Sequence, residues 1–357
     1  MLACYVQEMT RIASVAPVVP AYRYTQAEIT AEFAPLIAHT DSHRAVIDRM
    51  HSRSGIETRY TALPIERYRD LGSFRESNDL FIGIAADLLE RALSTALADA
   101  GLVPTDVDYM LFTSVTGIAA PSIDSMLISR LGMRPDVKRL PSYGLGCVAG
   151  AAGIARVHDY LVGHPNDVAV LLSVELCSLT LQRGDSSMAN FVATGLFGDG
   201  AAAVVMVGDN RPEPGPAVVD TRSYVYPDSA DAIGLNVGGT GFEIVLTSAV
   251  ADLISSYFPN NVTGFLADNS IGVPDIDVWF AHPGGPRILE AFSDSLRLPD
   301  DALALSYASL ARVGNISSAA VLHVLADGLS QPAGSRGLLF ALGPGVSAEF
   351  VLLEWAA

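Results

Sequence analysis

The sequence predicts a layered α/β fold built from two copies of one unit, and three observations carry that expectation. The chain repeats itself at long range, its apolar strand-like runs alternate with helical stretches, and two of those helices consist largely of small residues, as helices packed tightly between sheets must. At 357 residues, 50% of them apolar and 17% charged, the chain is long enough for about two domains around a substantial core.

The first landmark is L-A-D-A-G-L-V-P-T-D-V-D-Y-M-L-F at 97–112, which returns as L-A-D-N-S-I-G-V-P-D-I-D-V-W-F at 266–280. Each copy reads as a helix end, a Val-Pro turn, an Asp-x-Asp and an apolar strand. Next comes G-L-G-C-V-A-G-A-A-G at 144–153, where the thiol of Cys147 stands among small residues. The run D-V-A-V-L-L-S-V-E at 167–175 reads as a fully buried strand. A glycine turn entering an apolar strand closes each half, F-G-D-G-A-A-A-V-V-M-V at 197–207 and L-G-P-G-V-S-A-E-F-V-L-L at 342–353. Cys147 and Asn315 each precede a small-residue helix, and they stand 168 residues apart where Asp108 and Asp277 stand 169 apart. The duplication therefore puts Cys147 and Asn315 at equivalent places, in halves spanning 1–210 and 211–357.

A net charge of -17 disfavours nucleic acid and anionic membranes, so an anionic ligand needs a local basic patch. No stretch has the length of a membrane-crossing helix and the N-terminus lacks a basic leader, so a soluble cytoplasmic protein is expected. Cys4, Cys147 and Cys177 are odd in number and lack CxxC spacing, which suits free thiols in a reducing compartment. No HExxH motif occurs, and no metal is expected.

For Cys4 and Cys177 the ordinary reading is a small buried hydrophobe. Cys147 differs because a helix N-terminus favours a thiolate that can attack acyl groups. His282, in W-F-A-H-P-G-G-P, follows the repeated strand at 278–280, where active-site groups of layered α/β folds gather. Asn315, in V-G-N-I-S-S-A, reads either as a helix N-cap or as a neutral donor to an oxyanion. Together the three offer nucleophile, base and carboxamide. Gly144, Gly146 and Ala149 also fit the permissive dinucleotide-loop pattern, but they follow L-P-S-Y, a poor strand, in mid-chain.

These blocks carry a family resemblance. With G-L-G-C-V-A-G-A at Cys147, A-H-P-G-G-P at His282, G-N-I-S-S-A at Asn315, L-F-G-D-G-A-A-A at 196–203 and A-L-G-P-G at 341–345, the chain resembles type III polyketide synthases of the chalcone synthase kind. The resemblance runs from about residue 10 to the C-terminus. Ketoacyl synthases III share the Cys, His, Asn order but differ from this chain at H-P-G-G-P and at the proline of Gly343-Pro344-Gly345.

The resemblance implies a thiolase-like five-layered αβαβα fold with pseudo-twofold symmetry and a homodimer. Its substrates would be malonyl-CoA and acyl-CoA, with no metal or redox cofactor. It implies that Cys147 carries starter and growing chain as a thioester, while His282 and Asn315 hold the thioester carbonyl as malonyl-CoA loses carbon dioxide. Phe197 and Phe242 match aromatic gatekeepers between the coenzyme A tunnel and the cavity, although core packing would also account for them. Arg49 and Arg53, at i and i+4, match a basic segment at the tunnel mouth; sharing one helix face, they would suit a diphosphate, or form an ordinary solvated face.

The stretch L-L-S-V-E-L-C-S-L-T-L-Q-R at 171–183 resembles bacterial 1,3,6,8-tetrahydroxynaphthalene synthases, which implies malonyl-CoA as starter and extender and a pentaketide that cyclises. Cys177, Thr180, Thr116 and Ser317 are then cavity-wall candidates, and Cys177, Thr180 and Ser317 are the neutral donors available to a malonyl carboxylate. Alternatives are another acyl-CoA starter giving a pyrone or resorcinol, a single-round ketoacyl synthase III, and a non-catalytic or nucleotide-binding protein.

Overall fold

The computed structural model describes residues 9–356, and Cys4 lies outside them. The first half runs β1 (Thr10–Val18), β2 (Tyr22–Thr25), α1 (Gln26–Ile37), α2 (Asp41–His51), β3 (Thr58–Thr61), α3 (Phe74–Asp99), β4 (Val107–Thr113), α4 (Ile123–Leu131), β5 (Lys138–Ser142), α5 (Ala149–Val162), β6 (Val168–Leu176), α6 (Met188–Leu196) and β7 (Asp199–Val207). The second runs β8 (Ala217–Val225), β9 (Ile233–Gly238), β10 (Gly241–Leu246), α7 (Ala249–Asp268), β11 (Val278–Ala281), α8 (Pro286–Leu296), α9 (Ala304–Val313), α10 (Ser317–Asp327), β12 (Arg336–Gly343) and β13 (Ser347–Glu354).

Among the described residues nine strands join in one sheet in the order β11-β12-β13-β8-β1-β7-β6-β4-β5. The order is a palindrome about the junction of β8 and β1, with β5 as an extra edge strand. That junction is narrow, formed by the pairs Thr10↔Val218 and Arg11↔Ala217. Side chains alternate across each half-sheet, as the strand period requires. In the first half Val168, Val170, Leu172 and Val174 pack under α3, while Ala169 and Leu171 point to α5 and α10. In the second half Phe280, Leu339 and Val351 face the same two helices, and Trp279, Leu338 and Phe350 face α7 and α8. The result is five layers, α3, half-sheet, α5 with α10, half-sheet, α7 with α8.

The duplicated Asp-x-Asp explains itself in hydrogen bonds. Asp106 accepts the Val103 amide at 2.8 Å and Asp275 accepts the Gly272 amide at 2.8 Å, each closing the Val-Pro turn. Asp108 then accepts the amide of Val168 at 2.9 Å and Asp277 that of Arg336 at 2.8 Å, each fixing the start of the parallel neighbour strand. The L-P-S-Y segment corrects the expectation of a poor strand: Lys138–Ser142 pairs parallel with β4. Pro141 is tolerated there because an edge strand leaves one ladder side unpaired.

The two central helices touch backbone to side chain. A Cβ on Gly150 would stand 2.4 Å from the Ser318 carbonyl oxygen and 2.7 Å from a Val321 methyl carbon. Residues 149–155 of α5 and 317–325 of α10 are all buried. His39 and His43, four apart, straddle the start of α2, and among the described residues no group of three or more metal-ligating side chains gathers. Among the same residues no helix is long and apolar enough to cross a membrane.

The helix contact predicts opposite outcomes for two glycine-to-alanine changes. Gly150→Ala should cost about 1–3 kcal/mol in denaturant unfolding, because its methyl meets backbone that cannot yield. Gly83→Ala, on an exposed turn of α3 with nothing within 4 Å, should stabilise by about 1 kcal/mol through helix propensity alone.

Candidate active site

Cys147 sits in a single 3-10 turn, Gly146–Val148, that runs straight into α5. The turn needs glycine at 146, where φ is +56° and a Cβ would fall 2.6 Å from Cδ of Pro344. Gly343 is pressed as closely from the other side, since its Cβ would meet the Leu145 oxygen at 2.6 Å and the Val148 nitrogen at 2.7 Å. The glycine turn that closes the second half therefore lies against the turn carrying the first half's thiol.

Asn315 stands between α9 and α10. Its amide donates to Leu196 O at 3.0 Å and its carbonyl accepts from Gly198 at 2.9 Å, which fastens it beside Phe197. The side-chain oxygen accepts the Ser317 amide at 2.8 Å, but Ile316, not Asn315, is the N-cap residue of α10, so the reading of Asn315 as an N-cap is corrected. The NH2 group is left as a donor, and the carboxamide joins Ser317 in favouring the Cys147 thiolate. Cys147 Sγ lies 3.6 Å from Ser317 Oγ. Ser317 has φ +44°, an uncommon conformation for a residue with a side chain and one that concentrates at functional sites.

Burial pushes Cys147 up to about 12, against the downward pull of Ser317 and Asn315, and Glu175 adds to the rise. His282 follows β11, donating its amide to Phe340 O at 2.9 Å. This places it at the end of the parallel pair β11–β12 from which Gly343 and Pro344 reach the Cys147 turn. His282 is 3% exposed, its Nδ1 has no hydrogen-bond partner among the described residues, and burial pulls the imidazole down to about 3. No hydrogen bond joins it to Cys147. Burial thus favours the neutral forms of thiol and imidazole, and nucleophilic attack requires a proton to leave the sulfur.

Cys147 opens on a cavity of about 850 Å³ of atom-free space, counting its mouth. Phe197, Phe242, Cys177, Thr180, Thr116 and Ser317 all line it, so the structure brings every proposed wall residue to one space. Phe197 and Phe242 come from opposite halves, as the ends of α6 and β10 meet. Thr180 corrects its expected part as a donor: its hydroxyl donates to Cys177 O at 2.8 Å. The basic pair is also corrected. Arg49 and Arg53 are exposed, but α2 ends at His51, so Arg53 belongs to the following turn and the two share no helix face. Nearby Gly55 lies against Pro286, where an added Cβ would stand 3.2 Å from its ring, so this segment adjoins the H-P-G-G-P turn.

Two charged residues went unassigned in the sequence. Glu175, fully buried on β6, accepts from Val115 N at 3.1 Å, Thr116 Oγ1 at 2.9 Å and the Ser318 hydroxyl. It ties the cavity wall to α10, and burial raises its pKa. Its signal was a carboxylate ending an otherwise apolar strand. Arg59, on β3, lines the cavity while 2% exposed; in T-R-Y-T nothing marks it from an ordinary edge-strand arginine.

Residues 20–215 match the family model described as FAE1/Type III polyketide synthase-like protein, and residues 218–356 match the chalcone and stilbene synthases, C-terminal domain. The chain is 49% identical over 352 residues to the 1,3,6,8-tetrahydroxynaphthalene synthase of Streptomyces peucetius subsp. caesius, covering 97% of this chain and 93% of that one. It is 34% identical to a putative chalcone synthase of Bacillus subtilis, covering 97% and 99%. The crystal structure of 1,3,6,8-tetrahydroxynaphthalene synthase from Streptomyces coelicolor A3(2) superposes with a TM-score of 0.91 at 31% identity, covering 97% of this chain and 99% of that one.

The geometry around the sulfur predicts a shift in its reactivity. In Asn315→Ala the pH midpoint for alkylation of Cys147 by iodoacetamide should move upward, because one of the groups favouring the thiolate is gone. An unchanged midpoint would show that the carboxamide does not reach the sulfur.

Proposed function

The chain belongs to the type III polyketide synthase family, an acyltransferase class, and on that premise we propose that Cys147, His282 and Asn315 are its catalytic residues and malonyl-CoA its starter as well as its extender. The observation that carries the catalytic assignment is the sulfur of Cys147 set against Ser317 and Asn315 at a cavity walled by Phe197 and Phe242.

In the proposed cycle His282, kept neutral by burial, takes the thiol proton as Cys147 attacks the acyl-CoA carbonyl. Coenzyme A leaves with a proton and the acyl group stays on the sulfur. Malonyl-CoA then loses carbon dioxide, and negative charge passes to its thioester oxygen. The Asn315 NH2 and an imidazole N–H donate to that oxygen, each such donor being worth roughly 3 kcal/mol in rate. The enolate carbon attacks the Cys147 thioester, the sulfur departs, and the chain, two carbons longer, is returned to Cys147 for the next round.

The exposed Arg49 and Arg53, in a chain of net charge -17, suit the phosphates of coenzyme A. We place the boundary between the halves at 210/211, between β7 and β8, and read the protein as a cytoplasmic homodimer that needs no cofactor beyond coenzyme A thioesters. The homodimer is supported by edge strand β5, whose Leu140, with the following Tyr143, is half exposed. The 49% identity with the Streptomyces peucetius enzyme supports a malonyl-primed pentaketide that cyclises, losing the starter's carboxyl group as carbon dioxide, to 1,3,6,8-tetrahydroxynaphthalene.

Two outcomes are expected. Malonyl-CoA alone should yield an aromatic pentaketide that oxidises to a coloured naphthoquinone; a pyrone or resorcinol formed only from a long-chain or aryl starter would overturn the starter assignment. Asn315→Ala should lose malonyl-CoA decarboxylation, followed by release of labelled carbon dioxide, by roughly two orders of magnitude. Undiminished release would leave Asn315 only its structural hydrogen bond to the Ser317 amide.

A further inference from the structure

A malonyl starter brings a second carboxylate into the cavity, and that charge has to be met there. The neutral donors that line the space are mostly engaged already. The hydroxyl of Thr180 goes to Cys177 O, that of Thr116 to Glu175, and the side-chain amides of Gln182 and Asn190 go to backbone carbonyls. What remains is the Ser317 hydroxyl, the Cys177 thiol and one cation.

That cation is Arg59, the only charged side chain among the described residues lining the cavity. Its stem passes Gly314, where a Cβ would stand 3.0 Å from Cδ. Nε donates to Gln26 Oε1 at 3.0 Å and Nη1 to the carbonyl of Phe197 at 2.6 Å, while Nη2 is buried with no hydrogen-bond partner among the described residues. A buried guanidinium with idle donors calls for an explanation, because such groups are normally satisfied. Asp199 acts on it from a distance but forms no ion pair, since its oxygens accept from Ala62 N at 2.6 Å, Ser178 N at 2.8 Å and the Ser178 hydroxyl. Burial lowers the guanidinium only to about 10, so it stays charged at neutral pH. Through Phe197, whose strand-like bridge partner is Asn315, Arg59 is tied to the residues around the sulfur.

We infer that Arg59, on the wall made by β3 and α6, is the counter-ion for the free carboxylate of a malonyl-derived starter and of the chain grown from it. The chemistry suits this place. Each condensation inserts its two carbons at the thioester end, so the starter's carboxylate moves steadily away from Cys147 into the cavity. A planar guanidinium with unused donors holds a carboxylate by charge-assisted hydrogen bonds, and an uncharged aliphatic starter gains nothing from it. Arg59 is thus a specificity residue, and the assignment rests on the malonyl starter proposed above.

The test is a competition between malonyl-CoA as the only extender and hexanoyl-CoA as rival starter, with malonyl-primed and hexanoyl-primed products quantified by mass. Wild type establishes the malonyl reading first; absence of any malonyl-primed product there is a failure of the starter assignment, and Arg59 loses its ligand with it. If wild type primes with malonyl, Arg59→Gln should lower the ratio of malonyl-primed to hexanoyl-primed product at least tenfold, and Arg59→Lys should recover part of it. A purely structural arginine would depress both products together, and an unchanged ratio overturns the inference while leaving the starter assignment standing. Should the glutamine variant fail to fold, wild type is compared with malonyl-CoA and its uncharged methyl ester in the first-turnover burst of released coenzyme A. The ester is expected to load at least tenfold more slowly, and equal rates would refute the role of Arg59.

Discussion

The contact on which the structure depends is the close approach of two buried helices. Because residue 150 has no side chain, α5 can lie against the backbone of α10 at Ser318, and the helix starts carrying Cys147 and Asn315 are drawn together. Neither half has a complete site. The first supplies the sulfur and the second supplies the carboxamide, the Ser317 hydroxyl and the Gly343-Pro344-Gly345 turn that presses on the cysteine from outside. Packing at the centre of the molecule and chemistry at its cavity are therefore one constraint.

Burial then sets the electrostatics. The thiol is pushed up, the His282 imidazole down and the Glu175 carboxyl up, all by removal from water. Groups held toward their neutral forms suit a site where charge on the thioester oxygen develops only during reaction, when fixed donors act with little screening. Glu175 is held by hydroxyls and a backbone amide, and Arg59 by an amide oxygen and a backbone carbonyl. Among the described residues no carboxylate is paired with Arg59, which leaves the guanidinium able to answer an incoming anion.

Much of this was legible in the sequence, and for a physical reason. The duplicated Asp-x-Asp survives as a pattern because both carboxylates do local work, one closing a turn and one starting the neighbouring strand. Small residues at helical spacing announced the central layer, and the three catalytic candidates stood out because each follows a predicted strand end or precedes a helix. Other features depend on distances that no local pattern encodes. The rise in the Cys147 pKa comes from burial by both halves, the end of α2 at His51 separates Arg53 from Arg49, and β5 forms despite Pro141 because only one of its edges is paired. Arg59 looked ordinary because what distinguishes it is an absent partner and a shared cavity wall, both products of tertiary folding.

The central claim is that one sulfur, placed where the two halves meet, carries the acyl chain. It is tested most directly by incubating the protein with a single acyl-CoA in the absence of extender, quenching in acid and mapping the acyl group by peptide mass. The account predicts about one acyl group per chain, confined to the peptide containing Cys147, with Cys177 unmodified although it lines the same cavity. Acyl groups on Cys177, or a protein that forms polyketide with no acyl group on Cys147, would contradict it.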